Sequence, residues 1–266
     1  MESGGDDARR RGDLSAALRA AGLWLLAPVC VLCGASAGEN LCGACAAALP
    51  YLEDACPRCA SPADHGSECW RCRDRPPPFA GAVCALRYEA PVPWLIHRLK
   101  FAGDLAAGHA LGEVLGHRLA GNASGAGAIG GIVPVPLHAA RLRARGFNQA
   151  RLIAECVSRR LGVPLLARAA RRTRETGAQA RLSPAAREGN VRGAFSVTSA
   201  VAGRRVALVD DVLTSGATVR ALADAVLAAG AASVVVWGCA RSTGAHASRL
   251  ATDKAFASMN SLRGST

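Results

Sequence analysis

The clearest pattern of apolar and polar positions lies in the last third of the chain. Val206 to Val209 form a short aliphatic run, which is typical of a buried strand in a parallel sheet. Polar residues follow, and apolar residues then recur at helical spacing from Val219 to Ala229, which predicts an amphipathic helix. Gly230 is the residue expected just past a helix C-terminus. This stretch therefore predicts a strand, a turn and a helix in succession.

The same two patterns alternate through much of the chain. Apolar runs predict strands at 82–88, 132–136, 194–197 and 234–239. Apolar positions at helical spacing predict helices at 92–101, 105–120 and 148–161. Strands that alternate with helices are typical of an α/β fold, in which helices flank a parallel sheet.

Candidate chemistry follows directly after the run that ends at Val209. Asp210 and Asp211 come first, and a loop of small and hydroxylated residues comes next: Thr214, Ser215, Gly216, Ala217 and Thr218. In an open parallel sheet, ligands bind at the carboxyl ends of the strands. The N-terminus of the following helix favours a phosphate group, and two carboxylates can bond to a cis-diol. The residues therefore predict a site for a phosphorylated ribose, with a chance strand-turn-helix as the alternative.

A basic tract follows the strand predicted at 132–136. Its arginines are Arg141, Arg143 and Arg145, and we interpret residues 137–149 as an exposed basic turn at a strand's carboxyl end. Such a turn supplies the cations that a pyrophosphate needs, although a merely solvated basic loop is the alternative. Residues 168–193 are rich in Arg, Thr, Gln and Gly, which suits a lid over bound ligand or plain disorder.

Eight of the eleven cysteines form four Cys-x-x-Cys pairs near the N-terminus. Such pairs, eight to ten residues apart, are typical of zinc ribbons, and a disulfide framework would need an oxidising compartment that nothing here indicates. Sequential pairing gives two structural zinc sites, although interleaved pairing is also compatible with the spacing. In sequential order the ligands are Cys30, Cys33, Cys42 and Cys45, then Cys56, Cys59, Cys69 and Cys72.

Changes in composition predict four regions. Residues 1–27 form an N-terminal tail with a short amphipathic helix, and residues 28–75 form the double zinc ribbon. Three prolines end that module, residues 79–241 form the α/β domain, and residues 242–266 form a tail of little order. The apolar stretch near the N-terminus contains Pro28 and charged neighbours, so we expect neither a cleaved signal peptide nor membrane insertion, and a cytoplasmic location.

The charge balance agrees with an anionic ligand. The chain has 32 basic and 20 acidic residues, a formal net charge of +12. This suits pyrophosphate or nucleic acid, and a solvated basic surface explains it equally well.

Several of these blocks together resemble known proteins. The stretch from Val209 to Thr218 resembles the 5-phosphoribosyl-1-pyrophosphate (PRPP) signature of type I phosphoribosyltransferases, with Ser215 where many have a second threonine. The blocks Pro134–His138 and Arg145–Gln149, the motif around Arg172 and Arg174, and the paired zinc ribbons extend the likeness over nearly the whole chain. In this order they resemble the ComF family of double-zinc-ribbon, phosphoribosyltransferase-like competence proteins.

The resemblance implies a type I phosphoribosyltransferase-like domain that binds PRPP with Mg²⁺ in a bacterial protein linked to DNA uptake. It implies that Asp210 and Asp211 bind the ribose hydroxyls and that the loop from Thr214 to Thr218 binds the 5′-phosphate. The cations expected on the pyrophosphate are Arg141, Arg143, Arg145, Lys100, Arg172 and Arg174.

Two functions of different class remain open at this point. The first is an active phosphoribosyltransferase that displaces pyrophosphate from C1 of PRPP in favour of an unknown acceptor. The second is a PRPP-responsive protein without turnover, whose partners are single-stranded DNA or the uptake machinery.

Overall fold

A computed structural model describes residues 29–121, 129–174 and 193–242. The chain divides into two compact units, residues 1–48 and residues 49–266. The helix predicted within residues 1–27 lies outside the described residues, as do most of the predicted lid and all but the first residue of the tail.

The first unit contains a small cysteine turn. Val29 and Ser36 form an antiparallel bridge, and the amide of Cys30 donates to the carbonyl of Ala35 at 2.8 Å. Helix α1, Gly43–Ala47, follows, and the Cys42 side chain caps its first turn. These contacts bring two Cys-x-x-Cys turns together within a short stretch of chain.

A four-stranded parallel sheet forms the centre of the second unit. Its strands are β1 (Gly81–Arg87), β2 (Gly131–Pro134), β5 (Arg205–Leu213) and β6 (Ser233–Arg241), in the spatial order β1-β6-β5-β2. The inner strands β5 and β6 are almost continuously apolar because side chains cover both of their faces. The two innermost strands therefore carry the core, with Leu208 and Trp237 fully buried.

Several helices of this unit follow β1 in the described part of the chain. They are α3 (Val92–Ala102), α4 (Leu105–Ala120), α5 (Ala139–Arg145), α6 (Gln149–Leu161) and α7 (Ala217–Ala228). Asp104 and Asn148 cap α4 and α6 by accepting from the amides of Ala107 and Ala150. Gly103, with φ of 67°, makes the left-handed turn between α3 and α4.

A second, two-stranded antiparallel sheet lies beside the basic tract. Strand β3, Ala170–Arg172, pairs with β4, Phe195–Val197, so that Arg172 lies opposite Phe195. Arg172 also forms a parallel bridge with His138, the residue before α5. The two ends of the region predicted as a lid are therefore fixed in place next to α5.

Part of the zinc-ribbon region belongs to the second unit and packs against β1. The amide of Leu52 donates to the carbonyl of Ala85 at 2.9 Å, and the amide of Arg87 donates to the carbonyl of Pro50 at 2.8 Å. Helix α2, Trp70–Asp74, ends the ribbon. Because β1 is the outermost strand on its side of the sheet, these bonds cover an exposed sheet edge.

Two local expectations are corrected by the structure. Residues 137–149 contain the short helix α5 rather than an open turn. Strand β5 does not end at Val209 but continues through both acids to Leu213, because β6 pairs with it along that whole length.

Candidate functional site

The eight paired cysteines form two clusters in sequential order. The sulfur atoms of Cys30, Cys33, Cys42 and Cys45 lie within 4.8 Å of one another, and so do those of Cys56, Cys59, Cys69 and Cys72. The Sγ atoms of Cys33 and Cys42 are 3.7 Å apart, as are those of Cys59 and Cys69. A tetrahedral zinc ion with Zn–S bonds of about 2.3 Å requires sulfur separations of about 3.8 Å. Both clusters therefore have the dimensions of structural zinc sites.

Two thiols of the first cluster shift in opposite directions, because burial and the neighbouring cysteines raise the pKa of Cys45 to about 12, whereas that of Cys30 is lowered. Burial raises the pKa of the Cys30 thiol, but hydrogen bonds from the backbone of Cys33, Cys42 and Leu32 outweigh it and lower the pKa to about 6. A lower pKa favours the thiolate, which is the form that binds zinc.

The acid pair lies where β5 extends beyond its neighbour β2. The pairing of β2 with β5 ends at Pro134 and Val209, whereas β6 accompanies β5 to Leu213. Asp210 and Asp211 therefore have a strand on only one side. The amide of Asp211 donates to Oδ1 of Asp210 at 2.9 Å, so the Asp210 carboxylate folds back towards its neighbour.

Side chains from α3 and α6 contact Asp211, which is only 3% exposed. The Nε2 atom of Gln149 donates to Oδ1 of Asp211 at 3.2 Å, and the ammonium of Lys100 forms an ion pair with Oδ2. Arg145 donates in turn to Oε1 of Gln149 at 2.5 Å. The buried acid is thus connected to a cation on α3 directly and to a cation on α5 through one amide.

These contacts drive the two acids in opposite directions. Burial and the adjacent Asp211 raise the pKa of Asp210 well above its ordinary value. Burial also tends to raise the pKa of Asp211, but Lys100 and Gln149 outweigh it and lower that pKa. Burial tends to lower the pKa of Lys100, and Asp211 more than compensates, so that this pKa is raised. Asp211 and Lys100 are therefore both charged, whereas Asp210 takes up a proton more readily than an ordinary aspartate.

The hydroxylated loop lies between β5 and α7, at the same end of the sheet. Gly216 has a φ of 77° and precedes α7, and the Oγ atom of Ser215 accepts from the amide of Ala217 at 3.4 Å. Thr214 and Ser215 are exposed. Since α7 has 12 residues, the dipole at its N-terminus favours an anion in this loop.

Arg241 connects this loop to the second zinc ribbon. Its Nη1 atom donates to the carbonyl oxygens of Leu213, at 2.7 Å, and of Thr214, and its Nη2 atom donates to Oγ of Ser61 at 2.7 Å. The Oγ atom of Ser61 also lies 3.3 Å from the sulfur of Cys59. Arg241 is almost fully buried at the end of β6, so these bonds fix the first carbonyls of the loop.

The structure brings together three of the predicted cations. Arg145 is close enough to Asp211 and Arg141, and Arg172 close enough to Asp210 and Arg141, for their charges to interact. Burial lowers the pKa of both Arg145 and Arg172, as expected for cations in a concave site. Arg143 is exposed, two positions from Arg141 on a helix, and therefore points away from this group. Arg174 is exposed and lies two residues beyond the end of β3.

Gln149, Arg241 and Ser61 were not predicted as site residues. Gln149 stood in a block that carried the family resemblance, which was a usable signal, whereas Arg241 and Ser61 are 180 residues apart and meet only in the fold.

Comparison with known proteins agrees with this geometry. Residues 22–73 match the double zinc ribbon domain, and residues 148–262 match the phosphoribosyl transferase domain. The chain is 37% identical over 201 residues to DNA utilization protein YhgH of Escherichia coli strain K12. The aligned residues cover 74% of this chain and 88% of that protein. It is 32% identical over 214 residues to competence protein F of Haemophilus influenzae, which covers 77% and 92%.

The chain belongs to the ComF family. Its parallel sheet flanked by helices, preceded by a cysteine-rich ribbon region, is the phosphoribosyltransferase-like architecture that the sequence predicted. The two four-cysteine clusters are accordingly the zinc sites of a ComF double ribbon.

One solved structure overlaps part of this ComF chain. The structure of the glutamine PRPP amidotransferase from B. subtilis overlaps 49% of this chain and 26% of that protein, with a TM-score of 0.34 and 26% identity, too low to carry a conclusion about ligands. Among the described residues, no helix has both the length and the apolar character to cross a bilayer.

We predict that the two zinc sites affect stability differently. The purified chain should contain about two zinc ions, and Cys42→Ser and Cys69→Ser should each reduce this to about one by metal analysis. Only Cys69→Ser should lower the thermal midpoint of residues 49–266, because its cluster belongs to that unit. Equal effects of both variants on that transition would contradict the assignment.

We predict that Arg241 stabilises the hydroxylated loop. Arg241→Met removes the hydrogen bonds to the carbonyls of Leu213 and Thr214 and to Oγ of Ser61, so the free energy of unfolding should fall by about 3 kcal/mol, measured in urea. Amide exchange at residues 214–218 should also become faster. The matched variant Arg204→Met removes one exposed bond to the carbonyl of Gly130 and should change stability by less than about 1 kcal/mol. Unaltered exchange in Arg241→Met would refute the role.

Proposed function

We propose that this ComF protein binds PRPP together with Mg²⁺ and supports displacement of pyrophosphate at C1. The observation that carries the proposal is the convergence of three groups at one end of the sheet. They are the acid pair of β5, the hydroxylated loop before α7, and the arginines of α5 and β3. Their chemistry suits a sugar with a phosphate at one end and a pyrophosphate at the other.

Each group has a proposed part. The loop from Thr214 to Thr218 binds the 5′-phosphate through backbone amides and hydroxyls, and Asp210 of the acid pair binds the ribose hydroxyls. Arg141, Arg145 and Arg172 bind the pyrophosphate as it leaves. Loss of pyrophosphate gives an oxocarbenium-like centre, so most of the stabilisation required is that of the departing anion.

The chain also offers oxygen ligands for Mg²⁺. Among the described residues, no donor from another element contacts the Asp210 carboxylate, and carboxylate oxygens are the ligands that Mg²⁺ prefers. Bound there, the ion would neutralise charge on the pyrophosphate.

The names of the relatives support a proposal about the biological setting. Relatives of similar length are called DNA utilization protein and competence protein F, so we propose a role linked to DNA uptake. We propose the cytoplasm as its compartment, because eight zinc-binding thiolates require reducing surroundings.

We predict that Asp210→Asn abolishes most PRPP binding, measured by calorimetry with Mg²⁺. In the wild-type protein the affinity should fall as the pH is lowered through the raised pKa of Asp210, because the ligand requires the ionised carboxylate. This loss should begin well above the ordinary aspartate pKa of about 3.9.

The matched control is Asp224→Asn on α7, a carboxylate outside the site. It should retain both the affinity and its pH dependence. Unchanged PRPP affinity in Asp210→Asn would refute the proposed site. Binding without pyrophosphate release, across candidate acceptors, would leave a binding protein without turnover.

A specific observation favours single-stranded DNA as a second ligand. Trp70 on the second ribbon is 66% exposed, and the guanidinium of Arg71 lies 5.3 Å from its ring centroid. Arg73 and Arg75 are exposed nearby. An exposed aromatic ring among arginines suits stacking of a base beside a phosphate backbone.

We predict that Trp70→Ala weakens binding of single-stranded DNA by about tenfold, as loss of one stacked base implies. Fluorescence anisotropy with a labelled oligonucleotide, at several salt concentrations, measures this. Leu105→Ala removes an exposed apolar side chain elsewhere and should have no effect. Equal affinity of the Trp70→Ala variant and the wild-type protein would exclude this surface.

A further inference from the structure

The family resemblance predicts that Lys100 binds the pyrophosphate, and in the structure its side chain contacts Asp211. Lys100 lies in the last turn of α3, and its ammonium forms an ion pair with Oδ2 of Asp211. The Lys100 side chain is 24% exposed and that of Asp211 is 4% exposed, so the pair is largely shielded from water. Shielding strengthens the attraction between the two charges relative to a surface pair.

Helix α3 is fixed in the position that directs Lys100 to this acid. Leu95 and Leu99 are fully buried, and Arg98 forms an ion pair with Asp104 at 2.5 Å across the turn into α4. Lys100 therefore projects from an anchored element rather than from a loop.

The two acids differ in what remains available to a ligand. Both carboxylate oxygens of Asp211 are engaged, Oδ1 by Gln149 and Oδ2 by Lys100. The Asp210 carboxylate accepts a hydrogen bond from the amide of Asp211. Among the described residues, no cation forms an ion pair with Asp210. A cation that arrives from solution thus meets one committed acid and one available acid.

We propose that Lys100 is the resident cation of the acid pair: it occupies on Asp211 the place of a divalent cation, so that Asp210 alone faces a bound ligand. Lys100 and Asp211 are then positioning residues, which fix the end of β5 and keep a metal ion from binding there without PRPP. This proposal refines the site of the proposed function, but its first test does not use PRPP.

The experiment measures binding of Mn²⁺, a paramagnetic substitute for Mg²⁺, to the zinc-loaded full chain at a pH of about 8 by electron paramagnetic resonance. Lys100→Gln replaces the charged ammonium by a neutral amide donor. We expect this variant to bind Mn²⁺ at least about tenfold more tightly than the wild-type protein. The double variant Lys100→Gln/Asp211→Asn should lose this gain. The control Arg151→Gln, which leaves Glu155 without its ion pair at the surface, should match the wild-type protein.

Two results would overturn the proposal. One is Mn²⁺ binding by Lys100→Gln that is no tighter than in the wild-type protein. The other is tight binding by the wild-type protein that Asp211→Asn removes. If Lys100→Gln is too unstable to assay, the double variant must have the higher thermal midpoint, since it no longer buries an uncompensated charge; a midpoint as low as that of the single variant refutes the pairing.

Binding of PRPP then separates the two roles of Lys100. If Lys100 serves only to neutralise Asp211, the double variant should keep PRPP affinity within about tenfold of the wild-type value. A larger loss in the double variant would make Lys100 a direct ligand of the pyrophosphate and would overturn the proposal. Failure of the wild-type protein to bind PRPP would refute the proposed function, while the Mn²⁺ result would still decide the role of Lys100.

Discussion

The burial of one carboxylate determines how the open end of the sheet is built. Removing one partner from a buried ion pair typically costs about 3–5 kcal/mol, because it leaves an unpaired charge away from water. Asp211 avoids this cost through an ammonium from α3 and an amide from α6. Two helices distant in sequence therefore have to meet β5 at one residue, and the arginine of α5 is positioned through the same amide.

A second set of contacts gives the loop after β5 its fixed shape. A charged guanidinium that donates to two successive carbonyls restricts the backbone more than a neutral bond does. Since the same side chain reaches Ser61, the loop, the last strand and the second ribbon share one network. The loop of the proposed phosphate site is therefore connected, through Arg241, to Ser61 of the second zinc ribbon.

Sequence patterns indicated the parts of this site whose residues are consecutive. The acids, the hydroxylated loop and α7 follow one another, so the sequence predicted that they lie together at the carboxyl end of the sheet. The extent of β5 could not be predicted, because two acids end an apolar run, and only tertiary contacts to Lys100 and Gln149 make them acceptable in a strand. Helix α5 was missed for a related reason: none of its residues is buried, so it has no apolar face to give a helical period. The pairing of the cysteines was equally undetermined, since both arrangements satisfy the same spacing.

The bonds between the second ribbon and β1 have a consequence beyond metal binding. An uncovered outer strand offers unpaired backbone groups to any other strand, which is a common route to self-association. Here Pro50, Leu52 and the antiparallel bridge between Tyr51 and Leu86 cover part of that edge. In a cell short of zinc, a ribbon that unfolds would uncover this edge and leave β1 open to pairing with a strand of another molecule.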